Sequence, residues 1–147
     1  MQLELGKRAD YAVRVILALA RHHPEQRKAR QIADEMDIPR SYLARIMAQM
    51  VDAGLVRSQA GPAGGYRLNG APATIPLLTV VEAADGPLRS TECVLRGGPC
   101  RWNGTCVVHE PWSEAQEALR ARLAATNFAE LAALDEARRP KAQSGST

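Results

Sequence analysis

The sequence predicts a mainly α-helical protein carrying one small β-hairpin, and three observations lead there. Aromatic residues make up 4% of the 147-residue chain while 46% of it is hydrophobic, so the core must be built mostly from Ala, Leu, Val and Ile, which suits packed helices. Before Gly54, apolar residues recur at helical spacing in successive stretches separated by polar or Pro-containing breaks. Between Leu55 and Leu68 the pattern changes to short strand-like pieces around the run Gly61-Pro62-Ala63-Gly64-Gly65. A chain of this length buries one modest core, with room for a second small element that needs a partner.

The first helix is carried by Ala9, Ala12, Val13, Ile16, Leu17 and Ala20, with only Asp10 and Arg14 charged between its ends, so it is expected to be buried on more than one side. The apolar run is too short for a membrane span and closes at Arg21. Nothing at the N-terminus resembles a signal peptide, so a soluble cytoplasmic protein is expected. After a polar loop from His22 to Lys28, a second short helix turns Ile32, Ala33 and Met36 inward, and Pro39 drives Ile38 out of the helical region and ends it. A third helix starts near Arg40 or Ser41 and runs to about Ala53, with Gly54 as its C-terminal stop. Its apolar face is Leu43, Ile46, Met47 and Met50; its other face shows Tyr42, Arg45, Gln49 and Asp52, with Arg40 and Ser41 at the entrance.

Two short helices joined by a tight turn, the second offering Arg, Ser, Tyr and Arg at its N-terminal end, fit a helix-turn-helix reader of DNA, although many helical hairpins share that pattern. Leu55-Val56-Arg57 and Tyr66-Arg67-Leu68 read as the strands of a wing closed by the glycine-rich loop. A winged helix-turn-helix domain places its third helix in the major groove and its wing along the adjacent minor groove or backbone, where glycines permit close approach to phosphates. The other reading is a hairpin that merely closes the domain. Charge agrees with DNA binding in a modest way. Residues 1–72 carry eleven Lys or Arg against seven Asp or Glu, net +4, whereas residues 73–147 carry eight against nine, net −1.

Cys93, Cys100, Cys106 and His109 are spaced C-x6-C-x5-C-x2-H in a chain with no other cysteine, which points to a metal centre. Thiolates with an imidazole favour zinc or an iron-sulfur centre over calcium or magnesium, which take oxygen ligands. The spacing is looser than the C-x2-C knuckles of zinc ribbons. Gly97, Gly98, Pro99 and Gly104 would let the backbone wrap something larger than one ion. A closed tetrahedral zinc site of three cysteines and one histidine uses the same four residues and stays open as an alternative. A disulfide with a spare thiol requires a secretory context. Cys106 and His109 could form a nucleophile and base, but that leaves Cys93 and Cys100 unexplained, so no enzyme is expected.

From Trp112 through Leu119 and Leu123 apolar residues recur near every 3.5 positions, with Glu114, Glu117, Arg120 and Arg122 facing out. One long amphipathic helix projecting from a small domain either finds a partner or folds back on its own core. Phe128, Leu131 and Leu134 suggest a short terminal helix, and Arg138 to Thr147 reads as a disordered tail.

These residues carry a resemblance. Asp10-Tyr11-Ala12-Val13-Arg14, Ser41-Tyr42-Leu43, Ala53-Gly54-Leu55-Val56 and Gly61-x-x-Gly64-Gly65-Tyr66 resemble the Rrf family of bacterial winged-helix transcriptional regulators, of the IscR and NsrR iron-sulfur type. So does Ile75 to Leu88, where Leu78, Val80, Val81, Ala84 and Asp85-Gly86-Pro87-Leu88 resemble the family's short helix leading into three cysteines. With the cysteine loop and the long helix, the resemblance covers about residues 1–135. It implies a DNA-binding domain over 1–72, a connecting helix over 73–91, a cluster-binding loop over 92–110, a dimerisation helix and short terminal helix over 111–136, and a tail over 137–147.

The resemblance further implies a homodimer on double-stranded DNA with a palindromic operator. Its iron-sulfur cluster, 2Fe-2S or 4Fe-4S, would control operator binding in response to nitric oxide, redox state or iron-sulfur status. Cys93, Cys100 and Cys106 match the cluster ligands. His109 matches the fourth ligand of IscR-like members, and Asp10 that of NsrR-like members, where it comes from the other subunit. A ligand on the same loop is fixed at lower entropic cost, which favours His109, and Asp10 has an alternative role in an i,i+4 ion pair with Arg14. The DNA-binding positions are Arg40, Ser41, Tyr42 and Arg45 on the third helix and Gln59, Gly61, Gly64, Gly65 and Arg67 on the wing. One departure stands out: the Arg that family members commonly carry before the first wing glycine is Ala60 here. Arg57 or Arg67 would have to compensate, and readout is expected to rest on Ser41, Tyr42 and Arg45, with Arg40 on phosphate.

Overall fold

Small side chains make the first helix the centre of the molecule. In the computed structural model, which describes residues 3–88, 93–102 and 105–140, α1 spans Lys7–Arg21 and buries Ala9, Ala12, Val15, Ile16 and Ala18 completely. Alanines let neighbouring helices approach closely, and α1 is packed by the two helices that follow it in sequence and by the fourth and sixth helices, which return to it. Tyr11, Val15, Ala18 and Leu19 join the buried set, whereas Val13 and Leu17 are only half-buried. A single helical stripe cannot describe a helix surrounded on three sides, which is why the stripe read from the sequence missed these four.

Helix α2 (Ala29–Met36) buries Ile32 and Ala33 and ends at Asp37, whose φ of 53° turns the chain into Ile38 and Pro39. Helix α3 (Arg40–Asp52) follows at once and buries Leu43, Ile46, Met47 and Met50, the face its spacing predicts. Strands β1 (Val56–Gln59) and β2 (Gly65–Leu68) pair antiparallel, with Val56 opposite Leu68, Arg57 opposite Arg67, Ser58 opposite Tyr66 and Gln59 opposite Gly65. The hairpin therefore starts one residue later than expected, its first strand runs on through Ser58 and Gln59, and its second takes Gly65 out of the loop. Val56 and Leu68 face the core, and alternation sends Arg57 and Arg67 to the opposite face.

The supposedly plain loop before α2 supplies a third edge. Arg27 and Tyr66 exchange two backbone hydrogen bonds of 2.8 Å each, so the wing is stitched to the α1–α2 connection. One bridging residue has no alternation to betray it in the sequence.

A 3-10 turn at Pro72–Thr74 leads into α4 (Leu77–Asp85), which buries Leu78, Val80, Val81 and Ala84. Helix α5 (His109–Ala124) starts three residues earlier than Trp112, the first apolar residue of its sequence pattern, and buries none of its residues. Helix α6 (Phe128–Arg138) folds back onto α1 and extends past residue 136 into what the sequence assigned to the tail; residues 141–147 of that tail lie outside the described residues. Phe128 is completely buried, with its N–H bonded to the Ile75 carbonyl at 3.1 Å, while Leu77 bonds back to Thr126 at 2.8 Å. Burying a phenylalanine contributes about 1.5–3 kcal/mol, and here it locks the returning helix to the entrance of α4. Asn127 caps α6 by accepting from the Glu130 N–H at 3.0 Å. Among the described residues no helix is long and apolar enough to cross a membrane.

Candidate nucleic-acid interface and metal centre

The entrance of α3 is open to solvent. Arg40, Ser41, Tyr42 and Arg45 are all exposed, and Arg45 follows Ser41 by one helical turn, so both lie on one face. Among the described residues neither Arg40 nor Arg45 is held in an ion pair. Tyr42 is positioned from behind: its ring lies 5.5 Å from that of Tyr11, tilted by 55°, and the Lys7 ammonium sits 5.3 Å from its centroid. Helix α1 thus orients an aromatic at the mouth of the recognition helix. Gln49, expected on the outer face, instead turns toward α4 and donates to the Ala83 and Ala84 carbonyls at 3.0 Å each. Carbonyls at a helix C-terminus lack intrahelical donors, and a long amide fills that need better than water.

The wing is pinned from one side. Gln26 donates to the Gln59 side chain at 2.6 Å, and the Lys28 ammonium donates to the Pro62 carbonyl at 3.0 Å. Sequence reading missed both residues, since they stand in an unpatterned polar stretch. A Cβ on Gly65 would meet the Arg27 carbonyl oxygen at 2.8 Å, and one on Gly64 would press on the Gln59 carbonyl and on Ala60. The crossing of the protein's own backbone demands a glycine at both positions, independently of any approach to phosphate. Gly61 sits exposed at the tip. Arg57 donates to Asn69 at 2.6 Å, while Arg67 directly opposite is exposed. The two arginines line an open cleft of about 320 Å³ with His23, Pro24, Leu68, Asn69 and Gly70.

Between α4 and α5 lie the cysteines, all free thiols and all half-buried. Cys93 opens a tight turn: its N–H bonds to the Gly98 carbonyl at 2.7 Å, and its carbonyl accepts from Gly97 at 2.8 Å. Gly97 and Gly98 both have φ of 69°, a region that side chains disfavour. Cys93 lines a small cleft with Arg96, Gly97, Pro99, Arg101 and Trp102, and the Arg96 guanidinium stacks 4.5 Å from the Trp102 ring centroid. Cys106 and His109 share a separate, wider opening with Glu110, Ser113 and Glu114, and the His109 N–H bonds to the Cys106 carbonyl at 3.3 Å.

The structure thus brings Cys106 and His109 together, puts Cys93 in a separate cleft, and leaves Cys100 lining neither. Among the described residues no three His, Cys, Asp or Glu side chains converge as a metal cage, and Gly104 lies outside those residues. The donor chemistry still fits a soft metal centre, because no thiol is spent in a disulfide and an imidazole stands at the first turn of α5. Asp10 is occupied on α1: it pairs with Arg14 at 3.0 Å, and Arg14 also donates to the Met36 carbonyl at 3.2 Å.

A helix-turn-helix with a pinned wing, a basic exposed recognition helix and a cysteine segment behind it defines a winged-helix DNA-binding regulator of transcription. The chain belongs to the Rrf2 family, whose model, described as an iron-dependent transcriptional regulator, matches residues 5–134. It is 33% identical over 113 residues to the HTH-type transcriptional regulator IscR of Vibrio vulnificus strain YJ016, covering 76% of this chain and 67% of that protein. It is 31% identical over 130 residues to IscR of Aliivibrio salmonicida, covering 88% and 77%. The fold matches CymR (YrzC), the global cysteine regulator of B. subtilis, with a TM-score of 0.77 at 24% identity, covering 90% of this chain and 98% of that one. It also matches T. potens IscR with a TM-score of 0.74 at 22% identity, covering 96% and 95%. The resemblance read from the sequence is therefore confirmed at the level of family and fold. The protein is a DNA-binding transcriptional regulator and not an enzyme.

Proposed function

We propose that the chain acts as a homodimer on a palindromic operator and that its DNA binding is controlled by an iron-sulfur cluster held by Cys93, Cys100, Cys106 and His109. The observation that carries the reading is the placement of three free, half-buried thiols in a glycine-bent segment joining α4 to α5, in a chain of a family described as iron-dependent. When bound, the cluster supplies a redox-active centre, reactive toward nitric oxide and oxygen. His109 is favoured as fourth ligand because it already shares an opening with Cys106, whereas Asp10 is engaged by Arg14.

Helix α5 supports the homodimer. None of its residues is fully buried, and Leu119 is 45% exposed on it, so apolar surface is left for a second copy. Paired α5 helices would hold two recognition helices on half-sites about one turn of DNA apart, roughly 10 base pairs or a multiple. At each half-site Ser41, Tyr42 and Arg45 meet base edges, Arg40 meets a phosphate, and the wing carries Gln59, Gly61 and Arg67 to the flanking backbone. Gly64 and Gly65 keep the wing folded for that contact.

Anaerobic purification followed by a visible spectrum with iron, zinc and sulfide analysis tests the metal. A brown protein with matched iron and sulfide is expected. A colourless protein with one zinc per chain would replace the cluster with a tetrahedral zinc site of three cysteines and one histidine, leaving DNA binding without cluster sensing.

A further inference from the structure

A single carboxylate oxygen ties together the elements that flank the cysteine segment. Glu82 Oε1, on α4, accepts from the backbone N–H of Leu88 at 3.1 Å and from the Arg120 guanidinium on α5. Leu88 is where the chain heads into the segment, and α5 is the helix that begins at His109 as the segment ends. The pair is about three-quarters shielded, with side-chain exposures of 27% for Glu82 and 24% for Arg120.

One residue further along α4 the contacts change owner. Gln49, from the recognition helix, donates to the carbonyls of Ala83 and Ala84 at 3.0 Å each. Asp85 accepts from the Gly6 N–H at 3.0 Å at the start of α1, the helix that carries Lys7 and Tyr11 behind Tyr42. The last turn of α4 is thus gripped on one side by Leu88, where the chain leaves for the cysteine segment, and by α5, and on the other by the recognition helix and the start of α1. Val80, Val81 and Ala84 are buried beneath it, so the turn moves as a packed unit.

We propose that Glu82 and Gln49 form the link through which the cysteine segment and α5 set the position of the recognition helix. Both are positioning residues: Gln49 stands on α3 yet reads no base, and Glu82 acts on α3 only through the α4 carbonyls. The link rests on the DNA-reading role of α3, and its use in regulation rests on the cluster reading above. A displacement at Leu88 or Arg120 reaches α3 through the Glu82 side chain, the last turn of α4 and the Gln49 side chain, each of the two side chains being held at its end by two hydrogen bonds.

Amide hydrogen exchange on the full-length, cluster-free protein tests the link without any metal. Glu82→Ala is expected to raise exchange across α5 and also across α3, by about fivefold at the least-protected α3 amides, equivalent to about 1 kcal/mol. Gln49→Met keeps the length of the side chain but cannot donate, and it should raise exchange in α3 while leaving α5 unchanged. Operator affinity is then measured on cluster-loaded and cluster-free protein. In wild type the ratio should fall in the range usual for allosteric coupling, roughly 5- to 150-fold, and Gln49→Met should bring it toward one. A merely structural role would lower the melting temperature and both affinities together, with the ratio kept. The proposal is overturned if Glu82→Ala changes exchange in α5 alone, or if both variants keep the wild-type ratio. A wild-type ratio of one would sink the cluster reading, and the exchange result would still decide the link. If Glu82→Ala does not fold, Arg120→Met carries the same expectations.

Discussion

Gly65→Ala separates two explanations of the wing glycines. In the structure a Cβ at this position would lie 2.8 Å from the carbonyl oxygen of Arg27 and 3.1 Å from its carbonyl carbon. Both obstacles are backbone, so relief requires β2 to move away from the α1–α2 connection. That motion costs the two 2.8 Å bonds between Arg27 and Tyr66. At about 0.5–1.5 kcal/mol each, the loss is about 2 kcal/mol. For a protein of this size that corresponds to a fall in melting temperature of about 6 °C. The same motion loosens the neighbouring Gln26 and Lys28 contacts, so DNA affinity should fall by a similar factor for every sequence. Thermal unfolding at fixed protein concentration, alongside fluorescence anisotropy with an operator duplex over a salt series, reads both effects. An unchanged melting temperature together with a lower affinity for every duplex would refute the reasoning, since the wing would then stay folded and only its close approach to phosphate would be lost.

Three further predictions follow from named contacts. Arg45→Ala should cost about 1–3 kcal/mol of discrimination between the operator and a base-substituted duplex, the range for a bidentate guanine contact, and equal losses on both duplexes would show that Arg45 reads no base. His109→Ala should remove most of the visible absorbance of anaerobically purified protein while Asp10→Ala keeps it; the reverse pattern would move the fourth ligand to Asp10. Phe128→Ala should destabilise the fold by about 3–5 kcal/mol in denaturant unfolding, because its ring is completely buried where α6 meets the start of α4, and a loss below 1 kcal/mol would mean that α6 is not part of the core.

The sequence disclosed most where one element faces one environment. Helix α3 packs on one side only, and its buried set of Leu43, Ile46, Met47 and Met50 was legible from spacing alone. Helix α1 is enclosed by several neighbours, so Tyr11, Val15, Ala18 and Leu19 fell outside any single stripe. Contacts between residues far apart in sequence left no pattern. Gln49 reaches α4 across 34 positions, and Lys28 reaches the wing tip across the same separation. Gly64 and Gly65 were legible as glycines of a tight loop, but only the path of Arg27 and Gln59 says what backbone each one avoids. The cysteines advertised soft-metal chemistry by type, whereas the placing of Cys93 and Cys106 in separate clefts depends on the turn at Gly97 and Gly98 and on the start of α5 at His109.

Operator affinity of the same preparation before and after removal of its metal centre, at one fixed salt concentration, tests the central claim most directly. The account predicts a change of roughly 5- to 150-fold, restored when the centre is rebuilt. Equal affinities for every operator duplex would contradict it and leave a DNA-binding regulator whose cysteines do not control it.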